Sequence, residues 1–204
     1  MARYEQSRTR QHMKRTLDLG CGSNKRAGAI GADITRGSAA DVIVNLEQFF
    51  YPFKDNTFDH IVFSHVIEHL TDIPRAMEEI WRISSPNACL EGVTPHFSSS
   101  ASYTDPTHRH HLSYRTFDFL SEPFPNPPGK LRRFLNIFYK IEALEHRPRV
   151  VEKFQKIEVR LTFNPLFRRL GIEWLANIYP ELYESFFAFI FPARDIVFRL
   201  KVKK

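Results

Sequence analysis

His65, Glu68 and His69 stand within five positions of one another in SHVIEHL (64–70) and spell H-x-x-E-H. On a helix, that spacing sets two imidazoles on one face beside a carboxylate, the pattern of one zinc-peptidase class. A second group lies in TPHFSSSASYTDPTHRHHLSY (94–114), which offers His96, Asp105, His108, His110 and His111. Histidine titrates close to neutrality and suits removal of a proton from a nucleophile. Asp105 precedes His108 by three residues, with Pro106 fixing the backbone between them. A tight turn there would let the carboxylate orient the imidazole. His108 with Asp105 is the first candidate for a general base, and His65 is the second. The third chemical stretch is LDLGCGSNK (17–25). Gly20 and Gly22 allow a sharp turn and a close approach of backbone to ligand, and the N–H groups beyond them can receive an anion. A dinucleotide site would need a third glycine where Lys25 stands, which disfavours nicotinamide or flavin.

These residues need elements to hold them. RTLDLG (15–20), AIGADI (29–34), ADVIVNL (40–46), FDHIVFSH (58–65) and ACLEGVTP (88–95) read as buried strands, because each is a short apolar run ending at a turn signal. In LTDIPRAMEEIWRI (70–83) the apolar residues share one helical face, with Asp72 as cap and Pro74 in the first turn. Strands alternating with helices or short crossovers predict an α/β chain with a mostly parallel sheet. SYRTFDFL (113–120) reads as a helix capped by Ser113, and 165–178 and 180–190 as two more helices. FQKIEVRLTF (154–163) and DIVFRLKVK (195–203) read as the last two strands. His65 therefore ends a strand, while Glu68 and His69 open the next segment. They cannot share one long helical face, so the zinc-peptidase pattern does not apply.

Strand ends then give the loops their meaning. Asp33 closes the second strand eleven residues after Gly22, where a carboxylate can accept both hydroxyls of a ribose. Asn45 and Leu46 close the third, where an amide and an apolar side chain can frame an adenine ring. Asp18, inside the first strand, can orient the glycine turn.

Together these stretches resemble the class I S-adenosylmethionine-dependent methyltransferases, of the type 11-like kind, from about residue 15 to 120 and more loosely beyond. LDLGCG matches that family's first motif, Asp33 in GADI its ribose acid, and VNLEQFFYPFKDNTFDHIVFSHVIEHL its third-to-fourth-strand region. The resemblance implies a Rossmann-like, seven-stranded sheet with helices on both faces and an antiparallel last strand. It implies S-adenosyl-L-methionine as cofactor, with Gly20, Cys21 and Gly22 along its methionine part. It places Ser64 and His65 beside its sulfonium. Two departures stand out. Eleven residues leave room for only a short helix between the glycine turn and Asp33, and Asn45 occupies a place where many members carry aspartate. Some members bind a divalent ion through Glu-x-x-Glu-His at the end of the fourth strand. Here His65 replaces the first glutamate, Glu68 and His69 are read as structural, and no metal is assigned.

Composition narrows the rest. The chain has 204 residues, 43% hydrophobic and 25% charged, as suits a globular domain spanning 15–204 behind a flexible basic tail at 1–14. The segment 96–150, rich in Ser, His, Pro and Phe, is expected to form the acceptor pocket and lid. Residues 130–169 carry eleven Lys/Arg against four acids, within a net charge of +6. No apolar run is long enough for a membrane span, no signal peptide is visible, and two cysteines give no disulfide framework, which favours a cytoplasmic protein. The expected activity is methyl transfer to an oxygen or nitrogen of a small molecule or glycan precursor. The alternatives are an RNA or nucleotide methyltransferase using the basic face, and a cofactor-binding partner subunit without catalysis.

Overall fold

The computed structural model describes residues 15–121 and 152–204. The basic tail at 1–14, residues 122–150 of the expected lid and residues 130–151 of the basic segment lie outside the described residues.

Seven strands form one sheet in the order β3-β2-β1-β4-β5-β7-β6. They are β1 (Thr16–Leu19), β2 (Ile30–Asp33), β3 (Val42–Ile43), β4 (Phe58–Ser64), β5 (Ser84–Pro95), β6 (Phe154–Leu161) and β7 (Asp195–Val202). The first five run parallel. β7 is antiparallel to both β5 and β6. The strand order reverses beside β1, so the loops after β1, β2 and β4 meet at the carboxyl edge of the sheet. That crevice is where open α/β sheets bind ligands.

The helices are α1 (Ile73–Ile83), α2 (Ala101–Thr104), α3 (Thr116–Leu120), α4 (Pro165–Arg169), α5 (Ile172–Ile178) and α6 (Pro180–Phe186). α1 forms as the pattern predicts. Asp72 accepts a hydrogen bond from the Arg75 N–H at 3.0 Å, and Ile73, Ala76, Met77, Ile80 and Ile83 are buried. Several elements differ from expectation. β3 keeps only two residues of its run, while β5 begins four residues earlier than the apolar pattern does, at Ser84. The single helix expected over 165–178 breaks at Gly171, whose φ of +77° suits glycine and no helix interior. Ser113 does not cap α3. Its hydroxyl accepts from Arg115 N in the turn before the helix, which starts at Thr116. No helix forms between β1 and β2.

Glu79 of α1 locks the chain that comes after β3. Its carboxylate takes a forked pair of bonds from Arg82 at 3.0 and 2.8 Å and one from the buried Tyr51 N–H at 2.9 Å. Arg82 also donates to the Tyr51 and Phe53 carbonyls. The Arg82 contact holds the Glu79 carboxyl below the ordinary carboxylate range, in spite of burial. Removing one partner strands the other's buried donors. Glu79→Ala should therefore cost about 2–4 kcal/mol in chemical denaturation. Because the folded pKa is depressed, this stabilisation is complete above pH ~4.5, the unfolded value, and is lost as pH falls through the lower folded value. Wild type and variant should thus converge in stability under acid. A constant gap down to the acid transition would contradict the assignment.

Candidate functional site

The β1 loop is built on two left-handed glycines, Gly20 at φ +64° and Gly22 at φ +51°. A Cβ on Gly20 would lie 2.3 Å from the Val66 methyl, so this turn against the β4 loop accepts glycine alone. A Cβ on Gly22 would meet open space, which leaves its backbone free to face a ligand. Asp33, at the end of β2, joins the two loops. Its Oδ2 accepts from Gly22 N and its Oδ1 from Thr35 N, each at 2.8 Å. Burial alone would raise its pKa, but these N–H donors outweigh burial and keep it below the ordinary carboxylate value. Asp18 accepts from Arg26 N at 2.7 Å, so it fastens the far end of the glycine turn and does not face the pocket.

Gly20, Asp33, Val44, Asn45, Leu46, His65, Val66 and His69 line one pocket of about 280 Å³. Ser64, Cys21 and Gly22 are not among its lining side chains. A second groove, formed by Ile172, Leu175, Tyr179, Leu182, Phe187 and Phe191, is almost wholly apolar and brings no acid–base group to its wall besides tyrosine hydroxyls. The chemistry therefore sits in the first pocket.

His65 comes directly after β4 with φ +54°, an uncommon conformation for a residue with a side chain and one that recurs at functional positions. Its N–H donates to Val93 O at 2.8 Å, which holds the loop to β5. Its Nδ1 lies 3.3 Å from Glu68 Oε1. Contact with Glu68 raises the His65 pKa above its ordinary value, against the effect of burial, and Asp195 adds to the rise. Glu68 is 1% exposed and accepts from Thr94 Oγ1 through Oε2. Its backbone carbonyl receives Arg109 N and His110 N, and so ties the histidine loop over the turn Ile67–His69.

The expected Asp105–His108 pair does not form. Asp105 Oδ2 is 4.0 Å from His108 Nε2, beyond hydrogen-bond range. The carboxylate instead takes Thr107 N at 2.8 Å and Thr107 Oγ1 at 2.6 Å. His108 does not line the pocket. It stands behind His69, ring centroids 4.7 Å apart. His96 is fully buried, bound to Ser98 and Glu184, and belongs to the core. His111 packs on Tyr103 and bonds Ser102. Two groups join the site that the sequence reading did not assign to it. His69, read from its motif as structural, lines the pocket, and Asp195 acts on His65 through its charge. The antiparallel register pairs Asp195 with Pro95, which brings its carboxyl to the site edge, where burial raises its pKa.

The family model described as a methyltransferase domain matches residues 17–90. That match, over about a third of the chain, together with the fold supports a class I S-adenosylmethionine-dependent methyltransferase. Its sheet is that of a methyltransferase from Archaeoglobus fulgidus described as S-adenosylmethionine-dependent, with a TM-score of 0.53 at 17% identity, covering 92% of this chain and 86% of that one. A human mitochondrial arginine-hydroxylase, NDUFAF5, is 33% identical over 94 residues, which is 38% of this chain and 27% of the relative. A 2-phytyl-1,4-naphthoquinone methyltransferase from Nostoc is 46% identical over 37 residues, 18% of this chain and 16% of the relative. The chain thus spans about a quarter or less of these curated relatives.

The cofactor of this methyltransferase family is S-adenosyl-L-methionine, and the pocket fits it. Each Asp33 oxygen spends one acceptor site on a backbone N–H and keeps another for a ribose hydroxyl. Val44 and Leu46 offer an apolar wall, while the Asn45 side-chain carbonyl is turned back to Glu47 N.

Proposed function

We propose that this chain transfers a methyl group from S-adenosylmethionine to an oxygen or nitrogen of a small molecule or glycan precursor. The observation that carries this reading is that Gly20 and Asp33, suited to the cofactor, and His65, suited to a proton, line one pocket. The cofactor supplies an electrophilic methyl on a sulfonium. Asp33 and the glycine turn hold and orient it, and Val66, packed against Gly20, keeps water from the turn. His65, half-exposed and facing the acceptor side, takes the proton of an oxygen nucleophile. Glu68 and Asp195 favour the imidazolium that results. His108, without its carboxylate partner, yields the role of base to His65.

The naphthoquinone in the Nostoc relative's name supports a small-molecule acceptor. The human relative is named a hydroxylase, and one fold hosts several reactions, so the site must carry the assignment. An RNA acceptor draws less support. Three of the five described cations of the basic segment have acidic partners: Lys153 pairs with Glu78, Lys156 with Asp118 and Arg160 with Glu158. We also place the protein in a reducing cytoplasm, since Cys21 and Cys89 form no disulfide. No helix among the described residues is long and apolar enough to cross a membrane.

Labelled S-adenosylmethionine offered with a panel of hydroxylated and amino acceptors tests the proposal. Label should pass to at least one small acceptor, with matching mass gain. Transfer to RNA alone, or cofactor binding with no transfer to any class, would contradict it.

A further inference from the structure

We propose that the three helices between β6 and β7 form a docking surface for an anionic lipid bilayer. α4, α5 and α6 lie between Asn164 and Arg194, and their side chains are apolar where an exposed helix is ordinarily polar. Trp174 and Leu175 on α5, Phe186 on α6, and Phe187, Phe189 and Ile190 just after it are all exposed, Phe189 by 76% and Trp174 by 67%. Leu175 and Phe187 belong to the wall of the apolar groove described above, which has a volume of about 230 Å³. Large aromatic and aliphatic side chains grouped in the open mark a surface that another apolar phase covers.

Charge decides which phase. The stretch 164–194 holds three cations, Arg168, Arg169 and Arg194, and all three are exposed. Arg168 and Arg169 have no acidic partner among the described residues. Arg194 meets Asp195 at 3.3 Å with most of its side chain in the open. Two of the three acids in the stretch turn inward. Glu173 accepts from Phe163 N at 3.1 Å, and Glu184 accepts from Tyr114 N at 2.6 Å and lies 3.0 Å from His96 Nε2. The exposed apolar surface therefore carries cations and has drawn its acids into the fold. That combination suits a surface lying in a headgroup layer, with apolar side chains at the acyl boundary and guanidinium groups on phosphates. Tryptophan fits such a boundary, because its ring is apolar and its N–H is polar. A second copy of the chain fits worse, since a two-fold contact sets the same cationic patch against itself.

The surface adjoins the acceptor side of the pocket. Phe189 meets Phe97, in the loop after β5, edge to face with ring centroids 5.6 Å apart. The stretch ends at Arg194, which with Asp195 acts on His65 through its charge. Docking would thus bring that side of the pocket to the bilayer, and a lipid-borne acceptor is the class it would meet there. This consequence rests on the methyl-transfer reading. Docking itself does not, so the test uses neither methyl donor nor acceptor and the two can fail separately.

The full chain is mixed with vesicles of phosphatidylcholine alone, or of phosphatidylcholine and phosphatidylglycerol in equal parts. Binding is read by co-sedimentation and by tryptophan fluorescence, the difference from Trp174→Phe giving the Trp174 signal. The mixed vesicles should bind the chain and shift the Trp174 emission to the blue, and added salt should weaken both effects. Phosphatidylcholine alone should bind at least about 10-fold more weakly. Arg168→Gln with Arg169→Gln should weaken binding to the mixed vesicles about 10–30-fold, and Phe189→Ser with Ile190→Ser at least about 10-fold. Phe50→Ser, which removes an exposed ring outside the patch, should bind as wild type. Circular dichroism checks that each variant is folded. Absence of binding to the mixed vesicles, or binding unchanged in either double variant, would overturn the proposal. A dimer in vesicle-free solution that Phe189→Ser with Ile190→Ser dissolves would give the patch to a second copy and overturn it too. So would Trp174 shielded from acrylamide in the free monomer, which would give the patch to the chain itself.

Discussion

His65→Ala is expected to lower turnover on the true acceptor by about 10²–10⁴-fold while leaving cofactor affinity nearly unchanged. The size comes from the role. An oxygen nucleophile must shed its proton during displacement, and His65 lines the pocket with the buried Glu68 carboxylate 3.3 Å behind its Nδ1 to favour the imidazolium that forms. Its backbone contact with Val93 survives truncation of the ring, so the loop should keep its shape. Single-turnover kinetics with saturating cofactor would separate this loss from any change in binding. Near-wild-type turnover would remove His65 as the base. Severe loss of cofactor affinity would show that its left-handed conformation serves to shape the pocket.

Asp33→Ala should weaken S-adenosylhomocysteine binding by about 10²–10³-fold. Two ribose hydroxyls donating to a carboxylate make two charge-assisted bonds, each worth about 1.5–3 kcal/mol, part of which water replaces. The same change also releases Gly22 N and Thr35 N, so the glycine turn loses its link to β2. Asp33→Asn keeps an acceptor for one of these N–H groups and should fall between the two. Calorimetry reads the affinities directly. Equal affinity in all three proteins would place the ribose elsewhere.

The cofactor half of the site was legible in the chain because it depends on local chemistry. A short apolar run, two glycines and an acid at the next strand end can meet only at the carboxyl edge of a parallel sheet. Gly20, Asp33, Asn45 and Leu46 line the pocket accordingly. The acceptor half was less legible because it depends on which partner a side chain chooses. Spacing puts Asp105 near His108, but Thr107 offers the carboxylate two donors at once and captures it. Nothing in HRHH distinguishes the ring that meets His69 edge to face from the ring that stacks on Tyr103. Asp195 lies 130 residues from His65 and reaches it only through antiparallel register. Helical periodicity likewise runs unbroken through 165–178, and the break at Gly171 comes from backbone conformation.

Calorimetric titration of S-adenosylmethionine into the full chain tests cofactor use, on which the rest depends, most directly. Saturable binding at one site is expected, competed by S-adenosylhomocysteine, with a rise in melting temperature equivalent to roughly 2.7 kcal/mol at a hundred times the dissociation constant. Absence of heat and of thermal shift at millimolar cofactor would contradict it.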